Sequence, residues 1–149
     1  MLTIKTAGAD DRREWQRLWG ENCAHFGGDD MDDAVVDGLW LRIIDDAYPM
    51  QAWLAVGDAG SVGLAHTILH PHTFSLKSVC YLEDLWVSPR ARGAGVATAL
   101  ISHLKYHGKR EGWRRIYWET DAQNSQAQRL YERIASRRQS IIYQIDTAS

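Results

Sequence analysis

The sequence predicts an α/β fold built on one mixed β-sheet, antiparallel in its early strands and parallel later, flanked by about four helices. Three observations carry this. Two-residue alternation and branched or aromatic runs mark strand segments along the chain. Apolar residues spaced three or four apart mark helices. The element order is β-α-α-β-β-β-α-β-α-β, so hairpin-linked strands come first and strands separated by helices follow.

Taken in order, Leu2 to Thr6 is a short strand with Leu2 and Ile4 alternating. Asp11 and Glu14 stand at capping-box spacing, with Asp in place of Ser or Thr. Behind them Trp15, Leu18, Trp19, Cys23 and Phe26 fall on one helical face, which Gly27-Gly28 ends. The acidic run Asp29, Asp30, Asp32, Asp33 precedes a second helix striped by Val35, Leu39 and Ile43. Carboxylates there suit the helix macrodipole, and they also offer a cation-attracting rim. Pro49 closes this region. Gln51 to Val56 and Ser61 to His70 are strands around the turn Gly57-Asp58-Ala59-Gly60. Val79 to Val87 is a strand, and Gly95 to Tyr106 a helix with Val96, Leu100, Ile101 and Leu104 inward. Arg115 to Thr120 is a strand. Ser125 to Ile134 is a helix with Ala127, Leu130, Tyr131 and Ile134 on one side, and Ile141 to Ile145 is a last strand.

The chain of 149 residues is expected to form one domain, 1–149, with its own core. Net charge is -2, from 17 basic and 19 acidic side chains, which leaves no basic field for nucleic acid or an anionic membrane. Cys23 and Cys80 match no metal-ligand spacing and are too few for a disulfide framework, so both are expected as packed, reduced thiols. No basic N-terminal region leads into an apolar run, and no stretch approaches the ~20 apolar residues that span a bilayer; a cytoplasmic location is expected. Most of the seven tryptophans are expected in the core. His25, His66, His70 and His72 match no ligand pattern, so no metal is expected and they are read as packed or solvated; His66 and His70 share a strand face, which also allows a substrate-side role.

The chemistry is concentrated in Tyr81 to Thr98, YLEDLWVSPRARGAGVAT. A strand runs into Ser88-Pro89, then a loop with Arg90, Arg92, Gly93 and Gly95, then a helix. Glycines admit a ligand close to the backbone, unpaired N–H groups at the helix start suit phosphate oxygens, and arginines add charge. A phosphate or pyrophosphate site is the physical expectation. A P-loop is excluded because Val96-Ala97 follows Gly95 where Lys and Ser or Thr are needed. A dinucleotide fingerprint fits poorly: Thr98 replaces the third glycine, and Gly112-Trp113-Arg114 stands where a ribose-binding acid belongs.

Arg90-Ala91-Arg92-Gly93-Ala94-Gly95 resembles the acetyl-CoA pyrophosphate loop of the GNAT acetyltransferases, and Asn124-Ser125-Gln126-Ala127-Gln128-Arg129-Leu130-Tyr131 resembles that family's Asn-x-x-Ala-x-x-Leu/Phe-Tyr segment. Tyr81-Leu82-Glu83-Asp84-Leu85-Trp86-Val87 looks like the Leu-Glu-Asp strand of diamine and polyamine acetyltransferases and of the yeast histone and polyamine enzymes, as does Ile116-Tyr117-Trp118-Glu119-Thr120. The resemblance covers roughly residues 50 to 145, and the N-terminal third only by element order. One departure is Ala135 to Ser140, where many members have Gly-Phe; it bears on the last strand and on dimer contacts.

The resemblance implies the GNAT fold and acetyl transfer from acetyl-CoA to a primary amine, with free CoA as product. Glu83 is implied as the base, directly or through water, and alternation sets it on the face of Tyr81, Leu85 and Val87 with Asp84 opposite. Asp84 either holds a second cationic group of the acceptor or pairs with a basic neighbour, and Trp118 is a further acceptor contact. Tyr131 is implied as the general acid at the cofactor sulfur. The main chain of Leu85, Trp86 and Val87 is implied to pair with the pantetheine arm, with an N–H near Leu85 or Trp86 as oxyanion donor. Arg90, Arg92, Gly93, Ala94, Gly95, Val96, Ala97 and Thr98 would hold the pyrophosphate, and Asn124 and Ala127 the pantetheine. A small cationic or amino-acid-like amine is the expected acceptor, and a homodimer the expected assembly. A protein lysine is the second candidate acceptor. A non-catalytic acyl-CoA sensor is disfavoured because Glu83 and Tyr131 are both present.

Overall fold

The computed structural model describes residues 1–28 and 31–148, so Asp29 and Asp30 of the acidic run lie outside the described residues. It divides into two compact units, Met1–Trp118 and Glu119–Ser149. The first contains a five-stranded sheet in the order β1 (Thr3–Thr6), β2 (Met50–Gly57), β3 (Gly60–Pro71), β4 (Ser78–Val87), β5 (Ile116–Tyr117). The first four strands pair antiparallel and β5 runs parallel to β4, the mixed sheet that the element order predicts.

Helices α1 (Arg12–His25) and α2 (Asp33–Ile44) cover one sheet face. Their Trp15, Leu18, Trp40 and Ile43 pack with Ala52, Leu54, Leu64 and Trp86 in one buried cluster, with the Trp15 and Trp40 rings 5.0 Å apart. Helix α3 (Val96–Glu111) covers the other face, where Trp53 meets the rings of His103 and His107. Both cysteines are buried free thiols, and burial pushes Cys80 up to about 12. Among the described residues no helix is long and apolar enough to cross a membrane.

Gly63 on β3 is a place where only a hydrogen fits. A Cβ there would lie 2.7 Å from Val96 Cγ1 and 3.2 Å from both Ala55 Cβ and Leu100 Cδ1. The missing side chain lets α3 lie directly on the sheet. Gly63→Ala is therefore expected to destabilise the fold by about 1–3 kcal/mol through overpacking, seen as a lower urea midpoint at unchanged slope.

Helix α1 is tied to the sheet by charge. Arg17 bonds Glu14 at 2.9 Å, Glu21 at 3.2 Å and the Ser61 carbonyl at 2.5 Å, while Glu14 accepts the Ser61 N–H at 2.9 Å. The Arg17 guanidinium and the Ser61 N–H hold the Glu14 carboxyl below its ordinary range. Glu14 is thereby engaged elsewhere than in the capping box expected with Asp11. Asp11 instead reaches back to the Gly8 N–H at 2.8 Å and to Lys5 at 2.9 Å.

Other boundaries also differ. Phe26, placed by spacing on the apolar face of α1, is the C-cap residue and 70% exposed. Helix α3 runs on to Glu111, where Gly112 takes a left-handed φ of 76°. Strand β5 keeps only Ile116–Tyr117 of the expected Arg115 to Thr120, because its ladder with β4 stops at Tyr81↔Tyr117. The last strand is absent: Ile141 to Ile145 forms no strand, with Ile141 80% and Tyr143 89% exposed. The run Ile141-Ile142-Tyr143 does not alternate, and no described strand offers it a ladder.

In the second unit, a turn over 121–124 leads into α4 (Ser125–Ile134). The Gln123 N–H and the Gln128 amide close this turn on Asp121 and Ala122. Ala127, Leu130, Tyr131 and Ile134 form the half-buried side of α4, as their spacing predicts.

Candidate active site

The ladder between β3 and β4 contains a bulge that reassigns the faces of β4. Thr67 pairs with Leu82 and His66 pairs with Asp84, so Glu83 is the extra residue. Since Ile68 pairs with Tyr81, Tyr81 and Asp84 lie on one face although three positions apart. Leu85, opposite Ala65, falls on the other face with Val87, opposite Gly63. Simple alternation, with Glu83, Tyr81, Leu85 and Val87 together and Asp84 opposite, is therefore overturned. Glu83 itself is exposed, at the point where the strand changes parity.

Beyond the bulge β4 has one strand neighbour. Ladder pairs with β5 are limited to Cys80↔Ile116 and Tyr81↔Tyr117. Among the described residues, the outer edge of β4 from Leu82 to Val87 pairs with no strand. Parallel strands that part at their C-terminal ends are where α/β sheets hold ligands. Trp118, half-buried, follows the end of β5.

Strand β4 delivers the chain into the loop. Ser88 is fully buried, its N–H bonded to the Val62 carbonyl at 2.9 Å and its hydroxyl donating to Glu21 at 2.7 Å. The same carboxylate oxygen accepts the Trp86 indole N–H at 3.0 Å. Partial burial works to raise the Glu21 carboxyl, but these bonds and the Arg17 charge outweigh it and hold it below its ordinary value. Trp86 is thus a core side chain whose polar tip anchors the loop. The Arg92 guanidinium lies over its ring at 4.8 Å and donates to the Val87 carbonyl at 3.2 Å.

After one tight turn at Pro89–Ala91, Gly93 and Gly95 adopt left-handed φ of 80° and 78°. Arg90, Arg92, Gly93, Ala94 and Gly95 are exposed, and a Cβ on either glycine would meet nothing within 4 Å. Gly95 is the N-cap of α3 and brings no side-chain cap, so the N–H groups of Val96, Ala97 and Thr98 open the helix without one. A left-handed backbone, open ground above it, an uncapped sixteen-residue helix and two arginines fit a phosphate-bearing ligand.

The other predicted residues lie in the second unit. Asn124 caps α4, its Oδ1 accepting the Ala127 N–H at 3.1 Å. Tyr131 is half-buried on the apolar side of α4, and burial pushes its phenol above the ordinary value.

Comparison with known proteins bears on these features together. Residues 10–135 match the acetyltransferase (GNAT) family. The chain belongs to the GNAT family. A D-amino-acid N-acetyltransferase of Saccharomyces cerevisiae is 31% identical to this GNAT enzyme over 146 residues, covering 95% of this chain and 89% of the relative. An aminoglycoside acetyltransferase from an uncultured soil metagenomic sample, solved with sisomicin, superposes with a TM-score of 0.85 at 16% identity, covering 98% of this chain and 95% of the other. AAC(6')-Iy, solved with the bisubstrate analogue CoA-S-monomethyl-acetylneamine, gives 0.83 at 19% identity, covering 98% of each chain. These two likenesses establish the GNAT fold, and the family establishes an acetyltransferase.

Sequence reasoning located the loop and missed the bulge, the Glu21 anchor and the partner of Asp84. One signal for the bulge was present. Glu83 and Asp84 are adjacent charges inside an otherwise apolar strand, where strict alternation would force one of them into the core.

Proposed function

We propose that this GNAT enzyme transfers the acetyl group of acetyl-CoA to the primary amine of a small cationic or amino-acid-like molecule. The observation that carries this is the placement of two carboxylates, Glu83 and Asp84, at a bulge on an open strand edge that runs straight into a phosphate-fitting loop. The Saccharomyces relative is named for D-amino acids and the metagenomic neighbour for aminoglycosides, both small amines.

Acetyl-CoA, as substrate, supplies the activated thioester. The loop residues Arg90, Arg92, Gly93, Ala94 and Gly95, with the first N–H groups of α3 at Val96, Ala97 and Thr98, hold its pyrophosphate. The free edge of Leu85, Trp86 and Val87 takes the pantetheine arm as an added strand, and Asn124 and Ala127 bind that arm. An ammonium has no lone pair, so Glu83 removes a proton from the acceptor. A main-chain N–H near Leu85 or Trp86 faces the developing oxyanion. The freed amine attacks the thioester carbonyl, the carbon–sulfur bond breaks, and Tyr131 gives its proton to the leaving thiolate. The second proton, shed by the new amide nitrogen, restores the phenol, which burial raises and so keeps protonated at neutral pH. Asp84 and Trp118 bind the acceptor. The two units act as one acetyltransferase domain, and the enzyme is a cytoplasmic homodimer.

Free CoA released from acetyl-CoA, read with a thiol reagent across D- and L-amino acids, polyamines, aminoglycosides and a lysine-rich peptide, tests this. Turnover with one class of small amine supports the proposal. Turnover confined to the peptide, or none with any acceptor, contradicts it.

A further inference from the structure

We propose that Trp15 and His66 form a hydrogen-bonded relay that orients the Asp84 carboxylate for the acceptor's cation, which makes His66 a positioning residue and not a proton carrier. This rests on the assignment of Asp84 to the acceptor.

The Trp15 indole Nε1 lies 2.9 Å from His66 Nε2, and Nδ1 of the same ring lies 3.0 Å from Asp84 Oδ2. An indole nitrogen only donates. His66 Nε2 must therefore offer its lone pair, which leaves the ring proton on Nδ1, donated to Asp84. Trp15 sets the tautomer, and the tautomer sets the carboxylate. A proton placed on Nε2 would turn two N–H groups toward each other and break the Trp15 bond, so passage of a proton through this ring would dismantle the relay.

The surroundings hold this arrangement rigid. Trp15 is fully buried and His66 is 3% exposed. Trp40 lies against Trp15, and Trp19 stands edge-on to the imidazole at 4.8 Å. On the helix side Asp84 acts on Cys23, whose thiol is pushed up first by burial and then by the Asp84 charge, and so stays neutral. The Asp84 side chain remains 26% exposed, pinned at one oxygen and reachable from outside.

The bulge has a specific consequence here. Continuing the Thr67↔Leu82 register would set Glu83 opposite His66; the extra residue brings Asp84 there instead. It separates two adjacent carboxylates into one fixed by the core and one left exposed.

Nitrogen-15 NMR of histidine-labelled enzyme should show His66 as the Nδ1–H tautomer; the Nε2–H tautomer would overturn the relay. In kinetics, His66→Leu should raise KM for the amine about tenfold, with kcat and KM for acetyl-CoA within about twofold. His66→Gln, which can accept from Trp15 and donate to Asp84, should recover most of that loss. A normal amine KM in His66→Leu, or a loss confined to kcat, overturns the proposal. Should His66→Leu not fold, the tautomer in the unmodified enzyme and the Gln variant still decide it. Asp84→Asn tests the parent assignment separately. It should raise amine KM at least as much; an unchanged KM beside the Nδ1–H tautomer would remove Asp84 from the acceptor site and the relay's role with it.

Discussion

Glu83→Gln is expected to lower kcat/KM for the amine by about 100- to 1,000-fold at neutral pH, the usual scale for removing a general base. Glutamine keeps the size and a polar end but cannot take a proton. Glu83 is exposed and is the extra residue of the bulge, so the substitution changes no pair of the β3–β4 ladder. The loss should also depend on pH in one direction. An alkyl ammonium deprotonates unaided near pH 10 or above, so the gap between variant and parent should narrow as pH approaches that value. Initial rates of CoA release from pH 6 to 10 check this. A gap that stays constant with pH would mean that Glu83 binds the acceptor and does not deprotonate it.

Tyr131→Phe is expected to lower kcat by about 10- to 100-fold, with a smaller change in KM for the amine. In the proposed mechanism the phenol supplies a proton as the carbon–sulfur bond breaks, and the ring alone cannot. Burial raises the Tyr131 phenol above its ordinary value, so it stays protonated across the neutral range and adds no limb to the parent pH profile there. The variant keeps the ring on the apolar side of α4, so helix content should be unchanged. Replacing acetyl-CoA by a thioester with a more acidic leaving thiol provides the discriminating readout. A better leaving group needs less protonation, so the Phe variant should lose less with that donor. An equal loss with both donors would take the acid role away from Tyr131.

Much of the fold was legible because its signals are local. The helical stripes Trp15-Leu18 and Val96-Leu100-Leu104 end up fully or nearly fully buried, and the turn at Asp58-Ala59 joins β2 and β3 through the pair Gly57↔Gly60. The loop's shape was legible for the same reason: two glycines before an apolar helical stripe mark a left-handed turn that opens a helix. Partnership across the chain was not legible. Glu14 carried a capping signal, yet an arginine on its own helix and a backbone N–H 47 residues away claim it. For His66 the sequence offered packing, solvation or a substrate-side role, and its partner Trp15 lies 51 positions away. The bulge at Glu83 shifts every later face of β4, and a period of two cannot register one inserted residue. Strand Ile141 to Ile145 fails because strand formation is decided by a ladder partner, which composition does not supply.

The loop is the foundation of the proposed chemistry, and Arg90 is its cleanest probe. Arg92 also packs on Trp86 and bonds Val87, whereas Arg90 is exposed at the loop's start. The most direct measurement is an equilibrium titration of acetyl-CoA into the parent enzyme and Arg90→Ala, each at low and high salt. The account predicts about 10-fold weaker binding in the variant at low salt, a smaller difference at high salt, and unchanged unfolding. Equal affinity in the two proteins at low salt would contradict a pyrophosphate site on this loop.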